Sequence, residues 1–295
     1  MKHLFLILSI IVLSQINANA QEQSAYFQVT TTSESVSDAM NSVKSVLQDA
    51  GFNVIGEYNP GGSKDLAVVC YTNPKLEKIA LNFEDRGSLG AILKIGFKKE
   101  GNSVKTSMLN PMYLFYAYFI DGIDKHEAAL AKISENAKNA MKKVGTDFTP
   151  FGGTLDKKKL QKYHYKVMMP YFKDAEKLNE FTSFEEGLKT IQANLSEGKG
   201  ETEKVYELVY SDKNIAVFGV ALKSTETGES KFLPIIGDGH VAAMPYEIIL
   251  QGKTATILPG RYRIALHWPE LTMGTFMKIM STPGDIKDTL QGLTE

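Results

Sequence analysis

The sequence predicts an α+β fold made of two similar small domains, each a mostly antiparallel sheet with packed helices. The first observation is that both halves have the same order of elements. Each has a helical run that ends at glycine, followed by a buried strand, a hairpin and a proline. The second is spacing: Asn214 follows Asp65 by 149 residues, and Pro269 follows Pro111 by 158. The third is size, since 295 residues with 43 % hydrophobic side chains can fill two cores. An internal duplication explains these patterns better than one large domain does.

The N-terminus has the pattern of a secretory signal. Basic Lys2 precedes the apolar run Leu4–Leu13, and Ala18-Asn19-Ala20 provides the small residues of a cleavage site. The run is shorter than the roughly 20 residues that a membrane-spanning helix needs. We therefore expect residues 1–20 to be a signal peptide. The mature chain would begin at Gln21, be periplasmic or secreted, and have no integral membrane segment.

Charge and cysteine content narrow the class of protein. Without Lys2, the chain has 32 Lys and Arg against 34 Asp and Glu. This balance gives no general attraction for nucleic acid, so we expect no nucleic-acid partner. Cys70 is the sole cysteine and excludes an intramolecular disulfide. Its strand, Leu66–Tyr71, favours a buried hydrophobe over a reactive or ligating thiol.

The first domain is predicted over residues 21–145. Ser33 or Ser35 caps a helix whose apolar residues recur at helical spacing, and Gly51 ends it. The predicted elements are a strand at Ala25–Thr31, a helix at Val36–Ala50, strands at Phe52–Tyr58 and Leu66–Tyr71, a hairpin of Ala91–Lys98 with Ser103–Leu109, an apolar run at Met112–Ile120 and an amphipathic helix at Lys125–Val144.

Residues 146–181 are predicted as a connector that carries the aromatic segment Tyr163–Phe172. One interpretation is a plug that packs the two domains together. The other is an aromatic wall for an apolar ligand or a haem-like group, with His164, Met168 or Met169 as axial ligands. Covalent c-type haem is excluded because no Cys-x-x-Cys-His motif occurs.

The second domain is predicted over residues 182–295. Ser183 caps a helix that ends at Gly198. A strand at Ile215–Val220 and a hairpin at Tyr246–His267 follow. This order repeats the order of the first domain.

Several segments together resemble domain-of-unknown-function family 302, whose members are small, often exported bacterial α+β domains. These segments are Val36–Tyr58, Thr72-Asn73-Pro74, and Ala91–Pro111 with the following Tyr113-Leu114-Phe115. The resemblance covers residues 25–121 directly and residues 182–290 as a diverged copy. It implies a compact α+β fold and allows a homodimer. It assigns no activity and no catalytic residues.

The candidate ligand-binding residues lie near the end of the second domain. Alternation over Arg261–Trp268 predicts a strand with Arg261, Arg263 and His267 on one face. Two guanidinium groups there suit a carboxylate or phosphate, and Glu247 is the nearest predicted acid. The alternative is cross-strand pairing with Glu247. On the first interpretation the site is partly open, and Arg263→Ala weakens anion binding without disturbing the fold.

Other candidate residues give no specific chemistry. His240 lies in a glycine-flanked loop that can present a side chain to a ligand. His240, His164, Asp238 and His267 together lack the tight sequence spacing that is typical of metal ligands. We therefore predict no metal and no cofactor.

The leading function is an exported binding or interaction module for a small anionic or apolar ligand, held in a cleft between the duplicated domains. The alternative is a periplasmic enzyme or a redox or metal protein that uses His240, His267 and Arg263. A structural envelope protein is the third hypothesis. The sequence does not decide whether the protein is catalytic.

Overall fold

A computed structural model describes residues 22–295. The predicted signal peptide and the predicted start at Gln21 lie outside the described residues. The strands are β1 (Gln23–Thr32), β2 (Asn53–Tyr58), β3 (Leu66–Thr72), β4 (Leu93–Glu100), β5 (Ser103–Leu109), β6 (Thr149–Leu155), β7 (Glu176–Glu180), β8 (Thr202–Tyr210), β9 (Ile215–Leu222), β10 (Tyr246–Gln251) and β11 (Thr254–Ile257).

Helices lie between and after these strands. They are α1 (Val36–Asp49), α2 (Pro74–Ala80), α3 (Pro111–Tyr118), α4 (Glu127–Met141), α5 (Lys157–Gln161), α6 (Phe184–Ser196), α7 (Glu229–Ile236), α8 (Gly260–His267), α9 (Met273–Lys278) and α10 (Thr282–Gly292). Within residues 22–295, no helix is both long and apolar enough to span a membrane.

The fold is α+β, as predicted, with two antiparallel sheets and packed helices. One sheet has the order β2-β3-β4-β5-β1-β6 and the other has the order β7-β11-β10-β9-β8. Read from the opposite edge, the second sheet has the order β8-β9-β10-β11-β7, which matches β2-β3-β4-β5-β1. We call residues 22–155 the first half and residues 176–295 the second half.

The predicted helix starts and stops of the two halves are present. The Ser35 hydroxyl accepts a hydrogen bond from the Asp38 N–H at 3.1 Å, and Ser183 accepts one from the Glu186 N–H at 3.2 Å. Gly51 follows α1 with a φ of 79°. Gly198 follows α6 with a φ of 66°. Both glycines adopt the left-handed conformation that ends a helix at low cost.

The strand predicted over Arg261–Trp268 is wrong, because this segment is the helix α8. Its alternation of apolar and polar residues suggested one buried and one polar face. In the structure Arg263, Ala265 and His267 are buried together with the apolar residues, and only Arg261 is exposed. A helix buried on nearly all sides has no amphipathic period, so its sequence pattern does not distinguish it from a strand.

The range predicted as a connector contributes to both sheets. β6 pairs with β1 and extends the first sheet, whereas β7 pairs with β11 in the second. The aromatic segment Tyr163–Phe172 lies between these two strands.

The two halves pack closely enough to require glycine at the contact. A Cβ atom on Gly96 of β4 would lie 2.7 Å from the Ala242 nitrogen in the second half. A Cβ atom on Gly56 of β2 would lie 2.2 Å from the Val205 carbonyl oxygen of β8. Buried residues of both halves form a continuous hydrophobic core.

Glu229, the first residue of α7, connects the halves through its carboxyl group. Tyr58 donates its hydroxyl hydrogen to Oε1 at 3.0 Å, and the Gly61 N–H donates to Oε2 at 2.9 Å. The Leu222 N–H also donates to Oε1, at 3.2 Å. Burial raises the pKa of Glu229 to about 7, and these three donors only partly oppose that effect.

We expect this carboxyl group to make stability depend on pH. Its folded pKa lies above its unfolded value, so its stabilising contribution is present below about pH 4.5 and is lost as the pH rises towards 7. The free energy of unfolding should fall by roughly 1–3 kcal/mol more in the wild type than in Glu229→Gln between those pH values. Urea unfolding across the range measures the difference. Parallel pH profiles for the two proteins would contradict it.

Candidate functional site

A cleft with a volume of about 860 Å³ opens between the first half and the aromatic segment. We call it the aromatic cleft. Its lining includes six aromatic side chains that come from four separate parts of the chain. They are Phe83, Tyr118, Tyr163, Tyr171, Phe172 and Tyr262.

The aromatic rings of the cleft pack against one another. Phe172 lies in the middle, with its ring centroid 5.3 Å from that of Tyr118 and 6.1 Å from that of Tyr262. Tyr163 donates its hydroxyl hydrogen to the Ala265 carbonyl at 2.8 Å. Burial raises the pKa of Tyr163. These contacts fix the rings in place and occupy the Tyr163 hydroxyl. Phe172 and Tyr262 are almost fully buried, so Tyr163 and Tyr171 present most of the accessible aromatic surface.

Arg86 supports this wall from behind. Its side chain is buried, and its guanidinium carbon lies 4.7 Å from the centre of the Phe172 ring. Nη2 donates to the Phe172 carbonyl at 2.5 Å, and Nε pairs with Asp85 at 2.7 Å. The left-handed backbone of Arg86, with a φ of 54°, is unusual for a residue other than glycine. Arg86 thus connects an aromatic wall to an acid at the rim.

Charges of both signs surround the aromatic rings. Glu84, Asp85 and Asp121 provide carboxylates, whereas Lys162 and Lys173 provide ammonium groups. This mixed lining favours neither a strongly anionic nor a strongly cationic ligand.

The predicted role of the aromatic segment agrees only in part with its placement. His164 lines the cleft and lies against Tyr171, with ring centroids 4.5 Å apart. Met168 is 97 % exposed, and Met169 lines a separate apolar pocket with Tyr165. The three side chains considered as axial ligands therefore do not line one site together.

Arg263 is buried in an ion cluster between the halves. Its Nε lies 3.1 Å from Glu247 Oε2, and Nη2 donates to the carbonyls of Ala243 at 2.7 Å and Pro245 at 2.6 Å. Its guanidinium carbon lies 3.8 Å from the centre of the Tyr246 ring. The predicted cross-strand partner, Glu247, is thus its actual ion-pair partner, although Arg263 lies on a helix.

Lys94 of β4 is the second cation of this cluster. Its Nζ donates to Glu247 Oε1 and to the Pro245 carbonyl, the latter at 3.2 Å. Burial lowers the pKa of Lys94, with partial opposition from Glu247. Burial opposes the charged form of Glu247 as well, but Arg263 and Lys94 outweigh it and hold its pKa below its usual value.

The predicted shared face of Arg261 and Arg263 does not exist. Arg261 is exposed, whereas Arg263 is 1 % exposed and bonded to protein groups. Residues two positions apart point to different sides of a helix. The open anionic site that required a strand is therefore wrong in its geometry.

His267 is buried among tyrosine hydroxyl groups. Its Nε2 lies 3.2 Å from the Tyr118 hydroxyl, and its backbone carbonyl accepts a hydrogen bond from the Tyr26 hydroxyl at 3.0 Å. Burial and the positive charges of Arg263 and Lys94 hold its pKa well below the usual value. The imidazole is therefore uncharged at neutral pH.

His240 lies among aromatic rings. Its ring centroid is 5.0 Å from that of Tyr26, 5.5 Å from that of Phe151 and 5.8 Å from that of Trp268. Burial lowers its pKa to about 4. Asp238, considered with it as a metal ligand, pairs instead with Lys98 at 2.7 Å. Across residues 22–295, no group of three histidine, cysteine or carboxylate side chains is arranged to hold a metal ion.

Cys70 lies on β3 and is buried. Burial raises the pKa of its thiol to about 12. The side chain is thus protonated at neutral pH and matches a buried hydrophobe rather than a reactive thiolate.

No protein-family model matches the sequence, and no curated protein matches it. The chain is similar to a DUF302 protein. The match is described as "Crystal structure of uncharacterized conserved protein DUF302 from Bacillus stearothermophilus", with a TM-score of 0.32 and 14 % sequence identity. It covers 40 % of this chain and 94 % of the other. Its description names the family that the sequence resembles.

Proposed function

We propose that this chain is an exported binding module whose aromatic cleft holds a small ligand with a flat apolar part. The observation that carries the proposal is the cleft of about 860 Å³ with six aromatic side chains in its lining. Ligand pockets typically measure roughly 300–1,000 Å³ and combine apolar walls with a few polar groups. The signal-like pattern before Gln21 supports export.

The chemistry of the walls favours a ring-bearing ligand over a simple anion. Aromatic pairs gain about 0.5–1.5 kcal/mol beyond the burial of their surface. Arg263, the cation expected to bind an anion, is occupied by Glu247 and two backbone carbonyls. The mixed charges at the rim suit the polar substituents of such a ligand.

We also propose that the two halves are diverged copies of one domain. The common strand order of the two sheets supports this proposal. The cleft, which opens between the first half and the aromatic segment, also reaches the second copy through Tyr262.

Dye binding tests the site. The probe is 8-anilinonaphthalene-1-sulfonate, an anionic aromatic dye whose fluorescence rises in apolar surroundings. Tyr171 lines the cleft and is 37 % exposed, so Tyr171→Ala removes one accessible ring of the cleft with little disturbance of the core. We expect its dissociation constant for the dye to be about tenfold higher than that of the wild type.

The matched control is Tyr210→Ala on β8, since Tyr210 is a partly exposed tyrosine outside the cleft lining. This variant should bind the dye like the wild type. Equal affinities for the wild type and Tyr171→Ala would contradict a site in the aromatic cleft. Native mass spectrometry of protein taken from its own cell envelope adds an independent result, because it should show a chain beginning at Gln21 with a retained small molecule.

A further inference from the structure

Helices α3 and α8 hold each other by reciprocal hydrogen bonds. Each helix follows the hairpin of its own half and spans eight residues. Tyr113, the third residue of α3, donates its hydroxyl hydrogen to the Leu266 carbonyl at 2.8 Å. Tyr262, the third residue of α8, donates to the Ala117 carbonyl at 3.3 Å. Leu266 and Ala117 are both seventh in their helices, so the two contacts are equivalent.

Reciprocity of this kind is the property of a twofold interface, in which residue i meets j and residue j meets i. A second pair of contacts joins corresponding elements at the outer strands, with the glutamates at different positions in their helices. Tyr58 ends β2 and bonds Glu229 of α7, while Tyr210 ends β8 and bonds Glu77 of α2, each at 3.0 Å. The two halves are therefore related by an approximate twofold axis, which we call the pseudo-twofold axis.

Equivalent residues meet each other only where such an axis passes. The eighth residues of α3 and α8, Tyr118 and His267, lie 3.2 Å apart between Oη and Nε2. The second residues of β4 and β10, Lys94 and Glu247, form a buried ion pair. Both contacts therefore mark the position of the axis.

The register of the sheets confirms that Lys94 and Glu247 are equivalent. Lys94 pairs with Cys70, the fifth residue of β3. Glu247 pairs with Gly219, the fifth residue of β9. A symmetric dimer would place identical residues at this position, whereas this chain places a cation opposite an anion.

We infer that this interface is selective: the first half is built to pair with a second half and not with another first half. Two first halves would bring two buried Lys94 ammonium groups together without an acid. The position of Arg263 in α8 corresponds to Leu114 in α3, so the first half has no equivalent of this guanidinium. The selectivity does not depend on the proposed ligand.

Charge reversal in the full-length chain tests the inference. Glu247→Lys places three buried cations together and should lower the melting temperature strongly. Adding Lys94→Glu restores the original set of charges across the axis. We expect the double variant to recover at least about half of that loss, because residues in one ion cluster do not contribute additively. A double variant no more stable than Glu247→Lys would overturn the inference.

Two further sets of variants complete the experiment. The control exchanges the charges of Lys223 and Glu203, an exposed ion pair within the second half whose atoms lie 2.8 Å apart. This exchange should leave the melting temperature nearly unchanged. If Glu247→Lys yields no folded protein, Lys94→Met, Glu247→Gln and their combination replace it. The combination should then lose less than the two single variants lose together, and additive losses would refute the coupling.

Discussion

Replacing Glu247 with glutamine is expected to lower the free energy of unfolding by about 3–5 kcal/mol. Glu247 is the acid shared by two buried cations, Lys94 and Arg263. Removing one partner of a buried ion pair leaves a buried charge without a counter-charge. Here one substitution leaves two such charges. Denaturant unfolding at neutral pH measures the loss.

Glu203→Gln is the matched control for this prediction. Glu203 pairs with Lys223 at 2.8 Å, but both side chains are more than half exposed. Its loss should be about 1 kcal/mol or less, since exposed ion pairs contribute little. Similar losses of unfolding free energy for Glu203→Gln and Glu247→Gln would show that the buried cluster contributes no more to stability than an exposed ion pair.

The cluster also changes the expectation for Arg263→Ala. The predicted strand would leave the Arg263 guanidinium facing solvent. On that prediction, Arg263→Ala weakens anion binding and leaves the fold intact. In the structure, Arg263 bonds one carboxylate and two carbonyls while it is 1 % exposed. Its removal should therefore lower the stability of the junction between the halves.

Local signals predicted those elements whose ends are set by local chemistry. Ser35, Ser183, Gly51 and Gly198 cap or stop their helices through contacts within a few residues. Such contacts can be predicted from sequence because capping residues have strong preferences. The same helix-capping and helix-ending residues also separate the strands, so they predict the order of the strands along the chain.

The predicted match between the ends of the two halves differs from the match in the structure. The sequence pattern matches Pro111 with Pro269, 158 residues later, because a hairpin over Tyr246–His267 makes Pro269 the proline that opens the next apolar run. In the structure Pro111 begins α3 and Gly260 begins α8, 149 residues later. The same interval separates Asp65 from Asn214.

The candidate site depended on long-range contacts that no local pattern shows. No local sequence signal marks Lys94 of the hairpin strand β4 as buried, because its partner Glu247 lies 153 residues away. The aromatic segment stands out in the sequence by its composition. Its facing wall, however, includes Phe83 and Tyr118, which come from separate segments of the first half.

Trp268 is the aromatic side chain on which stability of the second half should depend most. It follows α8, is 2 % exposed, and donates its indole N–H to the Gly237 carbonyl at 2.8 Å. Its ring also lies beside His240. The ring therefore joins the end of α8 to the loop after α7.

Trp268→Ala should lower the free energy of unfolding by about 3–5 kcal/mol, because it leaves a cavity and removes the bond to Gly237. Trp268→Phe retains most of the packing and should recover more than half of that loss. Because Trp268 is the sole tryptophan, its fluorescence reports this site directly. We expect emission typical of a buried indole that shifts to longer wavelength as the protein unfolds in urea. Emission already typical of a water-exposed indole in the native protein would contradict the burial on which this prediction depends.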